Sequence, residues 1–504
     1  MTYFKIQISF PLMVRRLSLT LVLGLFALLS LAKAEGIRIK GTITGYEGSE
    51  AFLSMMYGGN QYMVDTAKVV NGTFTFESIY HLESGVYLVI LPPTKSFLIL
   101  VDRNIPEFSF TADVNHINNT IRFDKSSDNT EYYAYYRFFE EKKMTLDKIK
   151  KDYDAQVNEP DKVALLSRMQ QEKKDIIAYQ SALIARIPGT LTAAMVKCEL
   201  PVEVPAFNGS PEEINLQKYR FQREHYFDNV DIADERLIRA PRSVLVDRVD
   251  FYLDNLIPNQ PDSIIKGVDE LLARCEKTPV SYRFFLTHIF NKYREAKSIG
   301  MDAVYVHIAE EYIVKGKTPW IETQEKDEVL AAVKLISPTL IGKVAPDFTV
   351  QTQSGKDISL HSIQSPYTVL FFWAPDCTNC QQSMPVLADF YKAYKAKGVE
   401  VFGVCSKIND QEKNCWTYLA NHPEYNWING SDQTNGASGV RTQYNITTTP
   451  RIYLLDKNKT IVAKDFGVEH LGEVMNRLLP SSRLRLRRRR SIFNLSSTLR
   501  QEKK

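Results

Sequence analysis

Cysteine is scarce in this chain, with six among 504 residues. That excludes a small fold held together by a dense disulfide framework. One Cys-x-x-Cys pair occurs, Cys377 and Cys380, with no second pair and no closely spaced histidines elsewhere. The ligand set of a structural zinc site is therefore missing. No apolar run beyond Leu31 is long enough for a transmembrane helix, and no internal repeat is present. The formal net charge is +4, but Lys5, Arg15, Arg16 and Lys33 at one end and an arginine-rich tail at the other hold the surplus. The body between them is mildly acidic and offers no electrostatic footprint for nucleic acid. A hydrophobic content of 44% is that of a globular protein, and 504 residues suffice for roughly three domains.

What is present begins with a targeting pattern. Arg15 and Arg16 precede the apolar run Leu17–Leu31, and Ala32-Lys33-Ala34 has the small-x-small form of a cleavage site. Residues 1–34 are read as a signal peptide, with Met13 a more typical start than Met1. No cysteine adjoins the cleavage point, so no lipoprotein anchor is indicated. The expected location is the periplasm or cell envelope. At the other end, residues 481–504 include Arg483-Leu484-Arg485-Leu486-Arg487-Arg488-Arg489-Arg490. This tail reads as disordered, with anionic membrane as the surface it could touch.

Residues 35–123 read as an antiparallel β-sandwich. Ile37 to Ile43 alternates with period two. Asn71-Gly72 is a hairpin turn signal before Thr73-Phe74-Thr75-Phe76. Val86–Leu91 and Phe97–Val101 follow. No metal, phosphate or catalytic pattern appears there. Residues 128–335 read as an all-α region: a run from Lys142 to Ile187 ended by Pro188-Gly189, then segments at Val244–Leu256, Ser263–Cys275, Tyr282–Lys297 and Asp302–Lys315. Its aromatics are read as core. Cys198 and Cys275 are either a pair or two inert thiols, and Cys405 and Cys415 are a third candidate pair; spacing decides neither.

The stretch that carries chemistry is Phe372-Trp373-Ala374-Pro375-Asp376-Cys377-Thr378-Asn379-Cys380. Strand formers from Tyr367 to Trp373 lead into it. A helical pattern with Met384, Leu387, Phe390, Tyr391 and Tyr394 on one face leads out. The first cysteine then stands at a helix N-terminus, where unpaired N–H groups favour an anion. A thiolate is the species that attacks disulfides, and a second thiol one turn on resolves the mixed disulfide. Cys377 is thus the candidate nucleophile and Cys380 the resolving thiol. Asp376 is the candidate for tuning the Cys377 pKa, since a carboxylate there opposes thiolate formation.

Residues 342–480 resemble the thioredoxin-fold thiol–disulfide oxidoreductases of the TlpA/ResA type. The likeness rests on Gly342-Lys343-Val344-Ala345-Pro346-Asp347-Phe348, on Trp373-x-x-x-Cys377-x-x-Cys380, on Pro385, and on Thr448-Thr449-Pro450-Arg451-Ile452-Tyr453-Leu454-Leu455-Asp456. The flanking regions resemble uncharacterised β and helical domains that accompany such proteins in Bacteroidetes. The resemblance implies a C-terminal α/β thioredoxin fold with Pro450 in the cis form against the Cys pair. It implies Trp373 and Pro375 at the rim, and Thr449 and Pro450 holding an extended substrate backbone. It also implies protein or small-thiol disulfides as substrates, a membrane electron donor to recycle the dithiol, no cofactor, and reduction as the direction. Two departures stand out. Thioredoxin's buried acid is replaced by Phe371, and the glutamate of the ResA type by Ser383. A copper carrier is disfavoured by the two-residue Cys spacing and by His81, His361, His422 and His470 lying scattered; a peroxiredoxin is disfavoured by Ala374. The competing reading is an envelope binding or scaffold protein in which the thioredoxin-like part is a docking module.

Overall fold

The computed structural model describes residues 36–78, 82–296, 298–405, 412–432 and 439–479. Residues 1–34 and 481–504, to which the targeting and membrane-contact expectations belong, lie outside these residues. Eight strands come first: β1 (Arg38–Thr44), β2 (Glu50–Tyr57), β3 (Asn60–Lys68), β4 (Thr73–Glu77), β5 (Gly85–Leu91), β6 (Lys95–Val101), β7 (Glu107–Asp113) and β8 (Arg122–Asp124). They form two four-stranded sheets, ordered β4-β1-β7-β8 and β3-β2-β5-β6. The period-two pattern of β1 buries Ile39, Gly41 and Ile43 on the face that meets Phe74, Phe76, Phe108 and Phe110. Gly41 is needed there, because a methyl at that position would collide with the Phe74 and Phe110 rings. Asn71 and Gly72 both adopt positive φ, 52° and 71°, as the tight hairpin turn requires. One pairing departs from the antiparallel reading: β1 and β7 are parallel. The chain between them builds the whole of the second sheet, a connection long enough to return in the same direction.

The helical region holds α1 (Ser127–Ala155), α2 (Glu159–Arg186), α3 (Leu191–Glu199), α4 (Pro211–Glu224), α5 (Val246–Phe251), α6 (Pro261–Cys275), α7 (Pro279–Arg294), α8 (Asp302–Ile308) and α9 (Thr323–Ile336). The single run read from Lys142 to Ile187 is in fact two helices. Pro160 sits in the first turn of α2 and cannot continue α1. α5 and α8 each pass into a π-helical turn, Tyr252–Leu256 and Ala309–Val314. Val268, Leu271, Phe285, Ile289, Val304 and Ile308 pack in the core. Cys198 and Cys275 are unpaired and buried there, and burial pushes their thiols up to about 11 and about 12. Thiols so suppressed are inert. The β region docks onto this core through β5, where the Val86 N–H donates to the Arg239 carbonyl at 2.6 Å.

The last region is a seven-stranded mixed sheet: β9 (Thr349–Gln351), β10 (Asp357–Ser359), β11 (Tyr367–Trp373), β12 (Val399–Cys405), β13 (Ile428–Ser431), β14 (Arg451–Asp456) and β15 (Ile461–Lys464), in the order β10-β9-β13-β12-β11-β14-β15. Helices α10 (Thr378–Tyr394), α11 (Glu412–Ala420) and α12 (Leu471–Leu478) accompany it. β11 runs through the interior with Thr368 to Trp373 all buried, which is why it reads as an unbroken apolar run. Val369, Phe371 and Trp373 face the core shared with α10 and α12. Leu370 and Phe372 face Phe348, Phe402, Tyr444 and Tyr453 on the other side. The whole is multidomain: a β-sheet region, a helical region and a C-terminal α/β thioredoxin-like domain. Among the described residues, no helix is long and apolar enough to cross a membrane.

Candidate active site at the end of β11

The site is assembled where β11 stops. Its neighbours are parallel β12, with Trp373 opposite Cys405, and antiparallel β14, with Phe372 opposite Arg451. The backbone turns at Ala374–Cys377, where the Cys377 N–H donates to the Ala374 carbonyl at 3.3 Å. Cys377 is the N-cap of α10, and its Sγ accepts the Cys380 N–H at 3.1 Å. A sulfur at that position receives one of the free donors of the helix end. The two cysteines are bonded, with Cα atoms 5.2 Å apart. Cys377 is partly exposed, whereas Cys380 is wholly buried with Met384 and Leu387. An incoming thiolate can therefore reach Cys377 and not Cys380.

The Thr449–Pro450 peptide is cis, and both residues are half-buried. The Thr449 carbonyl oxygen lies 3.2 Å from Cys377 Sγ. Asp376 is exposed beside Cys377. Gln381, which sequence reasoning did not single out, donates its Nε2 to the Pro375 carbonyl at 2.7 Å and ties the turn to the helix. Two expectations need correction. Trp373 and Pro375 do not line the rim; both are buried. The pleat of β11 sends Trp373 to the same face as Phe371, into the core beneath the Cys pair, with its ring 5.5 Å from that of Tyr418. Phe371 is likewise buried, and the Ser383 hydroxyl donates to the Asn379 carbonyl at 2.7 Å. The second candidate pair is bonded: Cys405 at the end of β12 and Cys415 on α11, Cα atoms 6.3 Å apart, both buried in the same cluster as Cys380. The ten-residue spacing of a strand end from a helix start was the only sequence signal for it.

Residues 341–464 match the AhpC/TSA family. Residues 37–196 and 167–338 match two domains of unknown function, DUF4369 and DUF5106. The thiol-disulfide oxidoreductase ResA of Bacillus anthracis is 30% identical over 128 residues, covering 25% of this chain and 70% of that protein. The chain belongs to the ResA-type thiol–disulfide oxidoreductases. A ResA of Bacillus cereus is 28% identical over 127 residues, covering 25% of this chain and 70% of its own. Among solved structures, a domain of a possible thiol-disulfide isomerase from Cytophaga hutchinsonii is 32% identical, with 28% of this chain and 95% of that one covered and a TM-score of 0.26. A thioredoxin-like protein from Bacteroides caccae is 23% identical, with 55% and 99% covered and a TM-score of 0.41. This oxidoreductase thus carries its family's domain at the C-terminus and two further domains ahead of it.

Proposed function

We propose that this oxidoreductase reduces disulfides in exported proteins through Cys377 and Cys380. The Cys377 thiolate attacks a substrate disulfide, forming a mixed disulfide and releasing one substrate thiolate, which takes up a proton. The Cys380 thiolate then attacks Cys377 Sγ, which frees the second substrate thiolate and leaves the enzyme disulfide. Two electrons and two protons pass to the substrate in each turnover. An external donor, of the membrane electron carrier class that the family resemblance implies, returns the pair to the dithiol. The observation that carries this reading is the asymmetry of the pair: an accessible sulfur receiving a helix N-terminal N–H, with a buried sulfur one turn behind it. The nearby Thr449 carbonyl suits pairing with an extended substrate chain. Asp376, as the nearest carboxylate in sequence, is the candidate for tuning the Cys377 thiol. The leader read in residues 1–34 supports a periplasmic or envelope location.

The test is a glutathione redox titration of the Cys377–Cys380 pair, with Cys377→Ser and Cys380→Ala as controls. A potential near −270 mV, about that of thioredoxin, fits a reductase, and one near −120 mV, about that of DsbA, refutes the direction. Cys380→Ala should accumulate a mixed disulfide with substrate, and Cys377→Ser should not.

A further inference from the structure

The exchange site is joined to the helical domain by a line of charges. Arg451 directly follows Pro450 and opens β14. Its Nε lies 2.6 Å from Asp465 Oδ1, and a terminal nitrogen donates to Asp465 Oδ2 at 3.1 Å. Asp465 sits just past β15 at φ 60°, with its N–H donating to the Ile452 carbonyl at 3.1 Å. Lys464, only 1% exposed, donates its Nζ to the Thr339 carbonyl at 2.8 Å and pairs with Asp302, the first residue of α8. A cavity of about 270 Å³ lies between the domains, lined by Asp302, Thr339, Asn445, Arg451, Lys464 and Asp465.

Charges so placed are poor value for stability alone. The Arg451–Asp465 pair is partly exposed, and exposed pairs contribute little stability; at buried Lys464 an apolar residue of similar volume stabilises an interface as well as an ion pair does, or better. What charges add is a directional hold, since a charge-assisted hydrogen bond such as the one from the Arg451 terminal nitrogen to Asp465 Oδ2 fixes orientation. The object held is the start of β14, one residue from the peptide whose carbonyl faces Cys377 Sγ at 3.2 Å. Displacement of a substrate-holding group by even about 1 Å weakens a reaction that depends on alignment.

We propose that Arg451 and Asp465 are positioning residues for the Thr449–Pro450 loop, and that Asp302 and Lys464 make the helical domain a working part of substrate alignment. The inference rests on Cys377 and Cys380 being the exchanging pair. It applies to substrates that lay a backbone along Thr449, and less to small disulfides that meet only the sulfur.

The experiment uses the full chain, reduced and mixed in stopped flow with two oxidants: a peptide–glutathione mixed disulfide, and the small aromatic disulfide dithiobis(nitrobenzoate). The readout is the ratio of the two second-order rate constants. That ratio should fall about tenfold in Asp465→Asn and Arg451→Gln, the loss of one charge-assisted contact. Arg451→Lys should recover part of it. Asp302→Asn, which leaves the thioredoxin-like domain's own sequence intact, should lower the ratio in the same direction and decides the matter should an Asp465 variant fail to fold. A merely structural role would depress both rate constants together and leave the ratio unchanged, and that result overturns the inference. Wild-type protein that is oxidised by neither compound would overturn the exchange reading, and this inference with it.

Discussion

Replacing both Cys405 and Cys415 by alanine should destabilise the thioredoxin-like domain without touching Cys377 or Cys380. The bond spans a sequence separation of 10 between the end of β12 and α11. Closing a loop of that length removes about 9 cal/mol/K of unfolded-chain entropy, or about 2.7 kcal/mol at room temperature. Both sulfurs are buried, so the small void left by alanine adds about 1 kcal/mol. The sum, about 3–4 kcal/mol, is a large part of a domain's net stability. The assay is urea unfolding of the oxidised full chain, followed by tryptophan fluorescence in a Trp320→Phe background. The remaining indoles, Trp373, Trp416 and Trp427, then all report on this domain. With a slope of about 2 kcal/mol/M, the midpoint should fall by about 1.5–2 M urea at unchanged slope. A fall below about 0.3 M would refute the reasoning, because it would mean that the bond does not constrain the unfolded chain.

Other perturbations test other joints. Lys464→Met leaves the partly exposed Asp302 carboxylate without its cation, and should cost about 2–3 kcal/mol, read in calorimetry as a separation of the helical and thioredoxin-like transitions; Lys464→Met with Asp302→Leu should recover most of the loss. Gly41→Val forces a branched side chain into the Phe74 and Phe110 rings and should lower the β region's stability by about 2–3 kcal/mol, so an unchanged thermal midpoint would contradict the packing described. His307 is held above its usual pKa chiefly by its hydrogen bond to Asp269, 2.9 Å away. Because its folded pKa is raised, the stability it contributes is full below its unfolded value near 6.5 and is lost as pH rises through the folded value. Stability should therefore fall by up to about 1 kcal/mol on going from acid to alkaline pH through that window, and His307→Gln should flatten the dependence; identical pH curves for the two proteins would exclude it.

The sequence by itself determined the local grammar of this protein. The apolar run Tyr367–Trp373, the Cys pair and the α10 stripe of Met384, Leu387, Phe390, Tyr391 and Tyr394 state a buried strand, a turn and an amphipathic helix, because periodicity and burial are short-range consequences of side-chain placement. Asn71-Gly72 states its turn for the same reason: positive φ is a property of the residues themselves. Less was legible where two segments distant in the chain had to meet. The parallel pairing of β1 with β7 is a matter of topology and leaves no mark in either strand's pattern. The family resemblance implies Trp373 at the rim, yet the register of β11 against β12 and β14 turns it into the core. The bond between Cys405 and Cys415, the free state of Cys198 and Cys275, and the line of charges from Asp302 to Arg451 all depend on which surfaces pack together. Only tertiary structure decides these, because a contact between distant residues is fixed by the packing of whole elements and not by the residues that happen to touch.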